Sequence, residues 1–207
     1  MKLGKIYLLR HGEVAWNSKN AYVGSTDLPL NSTGLKQAEL AAKDFKLKNI
    51  SAVYSSDLKR AVQTAGSIAG ALELSVTLLP ELREVDYGLW EGLSEEEIAA
   101  NYPDILAPWR ADVKGVRIPG GETFQELCDR AFPAFTRIAE ENADGNAVVV
   151  AHKSTNRVLI CAALGIDINL YRSIGQDNAC INRIERRSDG RFVVECINDT
   201  CHLARPQ

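Results

Sequence analysis

Two histidines and two arginines stand where a chain gains little structural benefit from charge. "LLRHGEVAWN" (residues 8–17) sets Arg10 and His11 side by side just as an apolar run ends. "NAVVVAHK" (146–153) puts His152 at the end of a second run, and "VYSSDLKRAVQTA" (53–65) brings Arg60 shortly after a third. Charged groups at such positions lose hydration, a cost that a bound anion offsets. Guanidinium forks bridge phosphoryl oxygens in a bidentate way. A neutral imidazole is a competent nucleophile toward phosphorus, and its ordinary pKa of ~6.5 leaves much of it unprotonated near neutrality. Neighbouring arginines depress that value further. The chemistry implied is phosphoryl transfer through His11, with Arg10, Arg60 and His152 around the anion. A departing alkoxide also needs a proton. "LREVDYGLWEG" (82–92) offers Glu84, Asp86 and Glu91. A carboxyl beside a bound phosphate dianion keeps its proton to higher pH, which suits a general acid. The resulting carboxylate can then draw a proton from water attacking the phosphohistidine.

These side chains need a scaffold that brings distant segments to one point. "KIYLLR" (5–10), "SAVYSS" (51–56), "SVTLLP" (75–80) and "NAVVVAH" (146–152) read as short buried strands. "STGLKQAELAAKDF" reads as a helix with a Ser or Thr cap and an apolar face of Leu35, Ala38, Ala42 and Phe45. Leu58, Ala61, Val62, Ala65, Ile68, Ala69 and Leu72 mark a second helix. "ETFQELCDRAFPAFTRIAEE" is a third, which Pro133 is expected to kink or divide, and "STNRVLICAALG" is a fourth, stopped by glycine. "NACINRIERRSDGRFVVECIN" reads as a terminal hairpin turning at Asp189-Gly190. The stretch 81–120 breaks the rhythm: a loop, a short helix with a Ser94–Glu97 capping box ending before Pro103, then turn chemistry. It is expected to be a lid-like insertion over the sheet edge in a single domain spanning 1–207. Strands alternating with helices imply an α/β three-layer sandwich, its central sheet mostly parallel with an antiparallel edge strand. In an open α/β sheet, ligands bind outside the carboxyl ends of the strands, so Arg10, His11, Arg60 and His152 converge on one mouth. The N-terminus of the helix near Ser154 would add backbone donors there.

Composition narrows the partners. Hydrophobic residues make up 45% of the 207 and charged residues 25%, which is ordinary for a globular chain. A net charge of −3 gives no global attraction to nucleic acid or an anionic membrane, so any pull on an anion must be local. No apolar stretch approaches the ~18 residues of a membrane span and no signal peptide is evident, which makes the cytoplasm the default location. Five cysteines (Cys128, Cys161, Cys180, Cys196, Cys201) form no CxxC pair, and most are expected to be buried hydrophobes in a reducing compartment. "CINDTCH" lacks the spacing and second ligand cluster of a metal site.

The motifs "LLRHGEVAWN", "PLNSTGLKQA", "VYSSDLKRAVQTA", "LREVDYGLWEG", "PGGET" and "VVVAHKSTNRVLICAALG" occur in the order that the histidine phosphatase superfamily, the phosphoglycerate mutase-like proteins, shows. The resemblance runs from about Leu8 to Asn182. It implies that His11 is the phosphorylated nucleophile, that Arg10, Arg60 and His152 complete the phosphate pocket, and that Glu84 is the proton donor. Asn17 is similar to a residue that contacts the transferred group. No metal and no organic cofactor would be needed, arginines filling the role of magnesium. The implied activity is metal-independent phosphomonoester hydrolysis of a small phosphorylated metabolite. The end of the chain resembles bacterial metal-independent phosphoserine phosphatases, although some of these carry a histidine near the position of Tyr87. α-Ribazole phosphatases share the length and motifs equally well. A cofactor-dependent mutase is the enzymatic alternative; such mutases carry a longer insertion after the acidic motif. A non-catalytic phospho-ligand binder is the third reading, against which His11 and Glu84 both stand.

Several residues keep two readings. Lys153, where the family commonly has glycine, contacts a second anionic group of the substrate or points to solvent. Asn17 contacts phosphate or fixes its loop. Trp16, Trp90 and Trp109 pack the lid or line a pocket. Asn178 and His202 are read as structural. The terminal hairpin offers an edge through which a homodimer can form.

Overall fold

The computed structural model describes residues 4–17 and 21–204. Six strands form one sheet: β1 (Lys5–Arg10), β2 (Ile50–Ser55), β3 (Val76–Leu78), β4 (Asn146–Ala151), β5 (Ile181–Arg186) and β6 (Phe192–Asp199), in the order β3-β2-β4-β1-β5-β6. The first four pair in parallel, while β5 runs antiparallel to both β1 and β6. The antiparallel edge is therefore a hairpin, turning at Gly190 with φ +85°. Such a φ costs glycine little and most other residues more.

Register places the chemistry. Arg10 is opposite Ala151 in the β1–β4 pair, so the next residue of each strand, His11 and His152, leaves the sheet at the same level. Ser55 is opposite Val150, which delivers Ser56 to the same rim. Alternation along β1 sends Tyr7 and Leu9 to one face and Ile6 and Leu8 to the other. The first face is covered by α1 (Ser32–Phe45) and α2 (Lys59–Leu72), through Phe45, Ala61, Ala65 and Ile68. The second is covered by α5 (Phe124–Glu141) and α6 (Lys153–Leu164), through Leu127, Phe135, Val158 and Leu159.

Local readings need four corrections. The cap of α1 is Asn31, whose side chain accepts from the Gly34 N–H, and Leu35 faces solvent while Ala41 takes its place inside. α5 is continuous through Pro133, so the proline does not divide it, and packing against the sheet outweighs the lost N–H. Besides α3 (Glu95–Asn101), whose capping box is as expected, the insertion holds α4 (Pro103–Ala111). Pro103 begins α4 at a position where no intrahelical N–H is missed. Of the cysteines, Cys161 and Cys180 are buried, Cys128 and Cys196 half-buried and Cys201 exposed, and none is joined in a disulfide.

The segment 81–120 is anchored rather than loose. Leu82, Val85, Trp90, Ile98, Leu106, Trp109 and Ile118 are buried in the same core as α5 and α6. Trp90 and Trp109 meet edge to face at 5.0 Å, both fully buried, which makes them packing residues. His202 is buried in the turn Cys201–Leu203, packed against α1 and away from the strand ends that carry His11 and His152. Among the described residues no helix is long and apolar enough to cross a membrane.

Candidate active site

A cavity of about 650 Å³ opens at the carboxyl ends of β1 and β4. Arg10, His11, Asn17, Glu84 and Lys153 line it, so five sequence-predicted residues are brought together. Arg60 and His152 stand behind His11, each with no exposed surface. The turn after β1 is held from three sides. The His11 N–H donates to Ala151 O (3.1 Å), Ala179 N–H to His11 O (3.1 Å) and Gly12 N–H to Thr64 Oγ1 (3.1 Å). Gly12 is required by close approach, because a Cβ there would lie 2.5 Å from Gly34 O at the start of α1.

Hydrogen bonds fix which nitrogen of His11 is available. Its Nδ1 lies 2.6 Å from Gly12 O. A carbonyl only accepts, so Nδ1 carries the proton and Nε2 keeps its lone pair. Burial, reinforced by Arg60 and Arg10, holds the ring well below the ordinary imidazole value of 6.5, which keeps that lone pair free. His152 has the opposite tautomer. Arg60 Nε donates to its Nδ1 (3.2 Å), which leaves Nε2–H for Ser56 Oγ at 2.6 Å. Burial and then Arg60 push His152 down as well. The two rings lie 5.1 Å apart between centroids.

The arginines are buried cations without ion-pair partners among the described residues. Arg60 also donates to Thr26 O (2.8 Å) and Gly24 O (2.6 Å), and burial lowers it to about 10. Arg10 donates to Gln176 O at 2.7 Å, has a buried Nε with no partner, and is lowered by burial. Two such charges with spare donors are a cost in the empty site that an anion would offset.

The acidic residues divide by position. Glu91 clasps the backbone of Ser25 and Thr26, the loop that holds Arg60, and Asp86 accepts from Gly88 N–H (2.9 Å). Of the three, only Glu84 lines the cavity. Its carboxylate is held at the start of α6, with Ser154 N–H on Oε2 (3.0 Å) and Thr155 N–H on Oε1 (3.0 Å). The donors expected to face an anion are therefore occupied by Glu84. Asn17 Oδ1 accepts from Val14 N–H (3.1 Å) and Asn178 Nδ2 (3.1 Å), so Asn17 fixes the loop and also lines the cavity. Among the described residues no group of three or more His, Cys, Asp or Glu side chains is gathered as a metal site.

Sequence reasoning passed over Tyr22, Arg157, Tyr171 and Arg172, which line the cavity together with Tyr87, Ser154 and Asn178, the last of these read from the sequence as structural. Tyr87 Oη and Ser154 Oγ hydrogen-bond at 2.8 Å, and burial holds Tyr87 well above its ordinary value of 10.0. Arg157 was within reach of pattern reading, lying one helical turn beyond Lys153. Tyr22 comes from a loop, and Tyr171 and Arg172 from a short 3-10 helix (Ile168–Ser173), both too brief to give a periodic signal.

A family model described as the histidine phosphatase superfamily (branch 1) matches residues 6–200. The chain is 34% identical over 199 residues to phosphoserine phosphatase 1 of Hydrogenobacter thermophilus, covering 96% of this chain and 94% of that one. It is 33% identical over 215 residues to a Yersinia pestis protein described as probable phosphoglycerate mutase GpmB, covering 98% and 96%. Among solved structures, phosphoserine phosphatase from Entamoeba histolytica in complex with 3-phosphoglyceric acid aligns with a TM-score of 0.86. That pair is 28% identical, over 97% of this chain and 99% of the other.

Proposed function

The chain belongs to the histidine phosphatase superfamily and is a phosphatase, and on that premise we propose that it hydrolyses a small phosphorylated metabolite, without a metal, through a phosphohistidine on His11. The observation that carries the reading is the fixed tautomer of His11, its Nε2 lone pair free in a cavity shared with Arg10 and Glu84.

His11 Nε2 attacks phosphorus and the ester P–O bond breaks. Arg10 meets the phosphoryl oxygens, Asn17 adds an amide donor, and Arg60 and His152 supply charge and a hydrogen-bonded floor from behind. Glu84, acting in its acid form, gives a proton to the departing alkoxide. Water then attacks phosphorus and returns a proton to Glu84. The P–N bond breaks, His11 recovers its lone pair, and phosphate leaves. Phosphoserine is the favoured substrate, in line with the phosphoserine phosphatase relatives, with α-ribazole phosphate second. We place the protein in the cytoplasm as a single domain with residues 81–120 as its lid-like wall, and β6 offers an edge for a homodimer.

A mutase reading draws on the relative described as a probable phosphoglycerate mutase. Two short α-helices, α3 and α4, and one 3-10 turn (Gly88–Trp90) lie between Glu84 and Pro119. So small an insertion leaves water a path to the phosphohistidine, which favours hydrolysis. The test is phosphate release in EDTA from phosphoserine, α-ribazole phosphate, 3-phosphoglycerate, sugar phosphates and an aryl phosphate. One ester hydrolysed well in EDTA is the expected result. Isomerisation of 3-phosphoglycerate without phosphate release would establish the mutase, and silence on every ester a binding role.

A further inference from the structure

We infer that the outer wall of the cavity is a second anion site, in which Lys153, Arg157 and Arg172 take a carboxylate or second phosphate carried by the substrate itself. The inference rests on the phosphatase reading and names the substrate class within it.

The three cations sit in an arrangement that is unfavourable while no anion is bound. Lys153 is the first residue of α6, where the helix dipole disfavours positive charge. Arg157 lies four residues on, along the same face, a spacing at which like charges destabilise a helix. Both line the cavity together with Arg172. Among the described residues, none of the three forms an ion pair with a carboxylate. Burial, with Arg10 and Arg157 adding to it, lowers the Lys153 amine to about 8. An arriving anion would reverse that shift.

Each arginine is held by neutral groups. The Arg172 guanidinium lies over Trp109 at 4.8 Å and over Tyr171 at 5.3 Å and hydrogen-bonds the hydroxyls of Tyr22 and Tyr171, which fixes its plane at the cavity wall with only neutral partners for its charge. Arg157 is tethered through Nε to Ile174 O (2.7 Å) and lies 5.6 Å over the Tyr171 ring. Glu84 and Asp177 offset part of the positive charge around Lys153 without pairing with it, and the acidic residues on the opposite wall are turned elsewhere. Glu95 is paired with Arg110 at 2.6 Å, and Glu96 is exposed in the first turn of α3. An ester whose remainder is uncharged would leave these cations unused. A phosphorylated carboxylate or a bisphosphate would engage both parts of the cavity.

Matched ligands test this. Phosphoserine and phosphoethanolamine differ only by the carboxylate; glucose 1,6-bisphosphate and glucose 6-phosphate differ by one phosphate. Calorimetry on His11→Ala, which holds ligand without turnover, reads the affinity ratio in each pair. At least one ratio should be about tenfold or more, the scale of a charged hydrogen-bonded contact. Which pair shows it distinguishes a carboxylate from a phosphate. Adding Lys153→Met or Arg172→Met, both at exposed side chains, should bring that ratio toward one. Equal affinities within both pairs, or a preference that survives both substitutions, would overturn the inference. Failure of the phosphatase reading looks different: the unsubstituted protein would release no phosphate from any ester, whatever the binding ratios.

Discussion

The cavity has an inner end and an outer wall, and they are built by different means. At the inner end, Arg10, His11, Arg60, His152 and Glu84 are all buried, and each is fixed by hydrogen bonds to backbone or to one another. Their placement follows from strand register: adjacent parallel strands that end level must deliver their next residues to one point. The outer wall draws on the first turns of α6, the short 3-10 helix around Tyr171 and the insertion, and among the described residues its cations form no ion pair with a carboxylate. The inner end is positioned for one reaction on any phosphoryl group. The outer wall is where the remainder of the substrate is read. A fold that separates the two can change its substrate without disturbing its chemistry.

That division has measurable consequences. The largest effect is expected from His11→Ala, which should lower kcat by at least about a thousandfold on every ester, as loss of a nucleophile does. Glu84→Gln should lower kcat/KM, which reports the phosphorylation step alone, about a hundredfold for alkyl phosphates and much less for an aryl phosphate, whose leaving group needs no proton. Equal losses on both would remove Glu84 as the proton donor. The outer wall should respond by substrate instead: Arg172→Met changes the preference between matched esters about tenfold, and a uniform drop in kcat would break the division.

Stability carries a smaller signature of the inner end. A Cβ on Gly34 would lie 2.2 Å from Glu13 O, so Gly34→Ala should cost about 1–3 kcal/mol in urea unfolding and loosen the turn that holds His11. His11 and His152 both titrate well below 6.5 in the folded protein. Below pH 6.5 the unfolded chain takes up protons on these rings that the native state refuses, so stability falls with pH there. Tm should therefore drop between pH 7 and 5, and the drop should be shallower in His11→Asn. The acid limb of kcat/KM should lie below pH 6.5 for the same reason.

Most of the inner end was legible in the sequence because its logic is topological. Apolar runs ending in "RH" and "AHK" mark strand ends, and a parallel sheet gathers strand ends. What the sequence hid was how the groups are shared. Nothing in "LREVDYG" says that Glu84 occupies the donors at the start of α6, nor does "SDLKRA" say that Arg60, next to the exposed Lys59, is wholly buried. Both depend on contacts between residues far apart in the chain. α4 escaped notice because Pro103 reads as a breaker, whereas it opens the helix. The outer wall was least legible, since Tyr22, Tyr171 and Arg172 belong to segments with no period to follow.

The central claim is a covalent bond between His11 and phosphorus. It is tested by mixing the protein with an aryl phosphate, quenching in alkali and locating any phosphoryl group by mass spectrometry. A phosphohistidine on the peptide carrying His11, absent from His11→Ala, is the predicted result. Steady turnover with no adduct on His11, or an adduct on another residue, would contradict it.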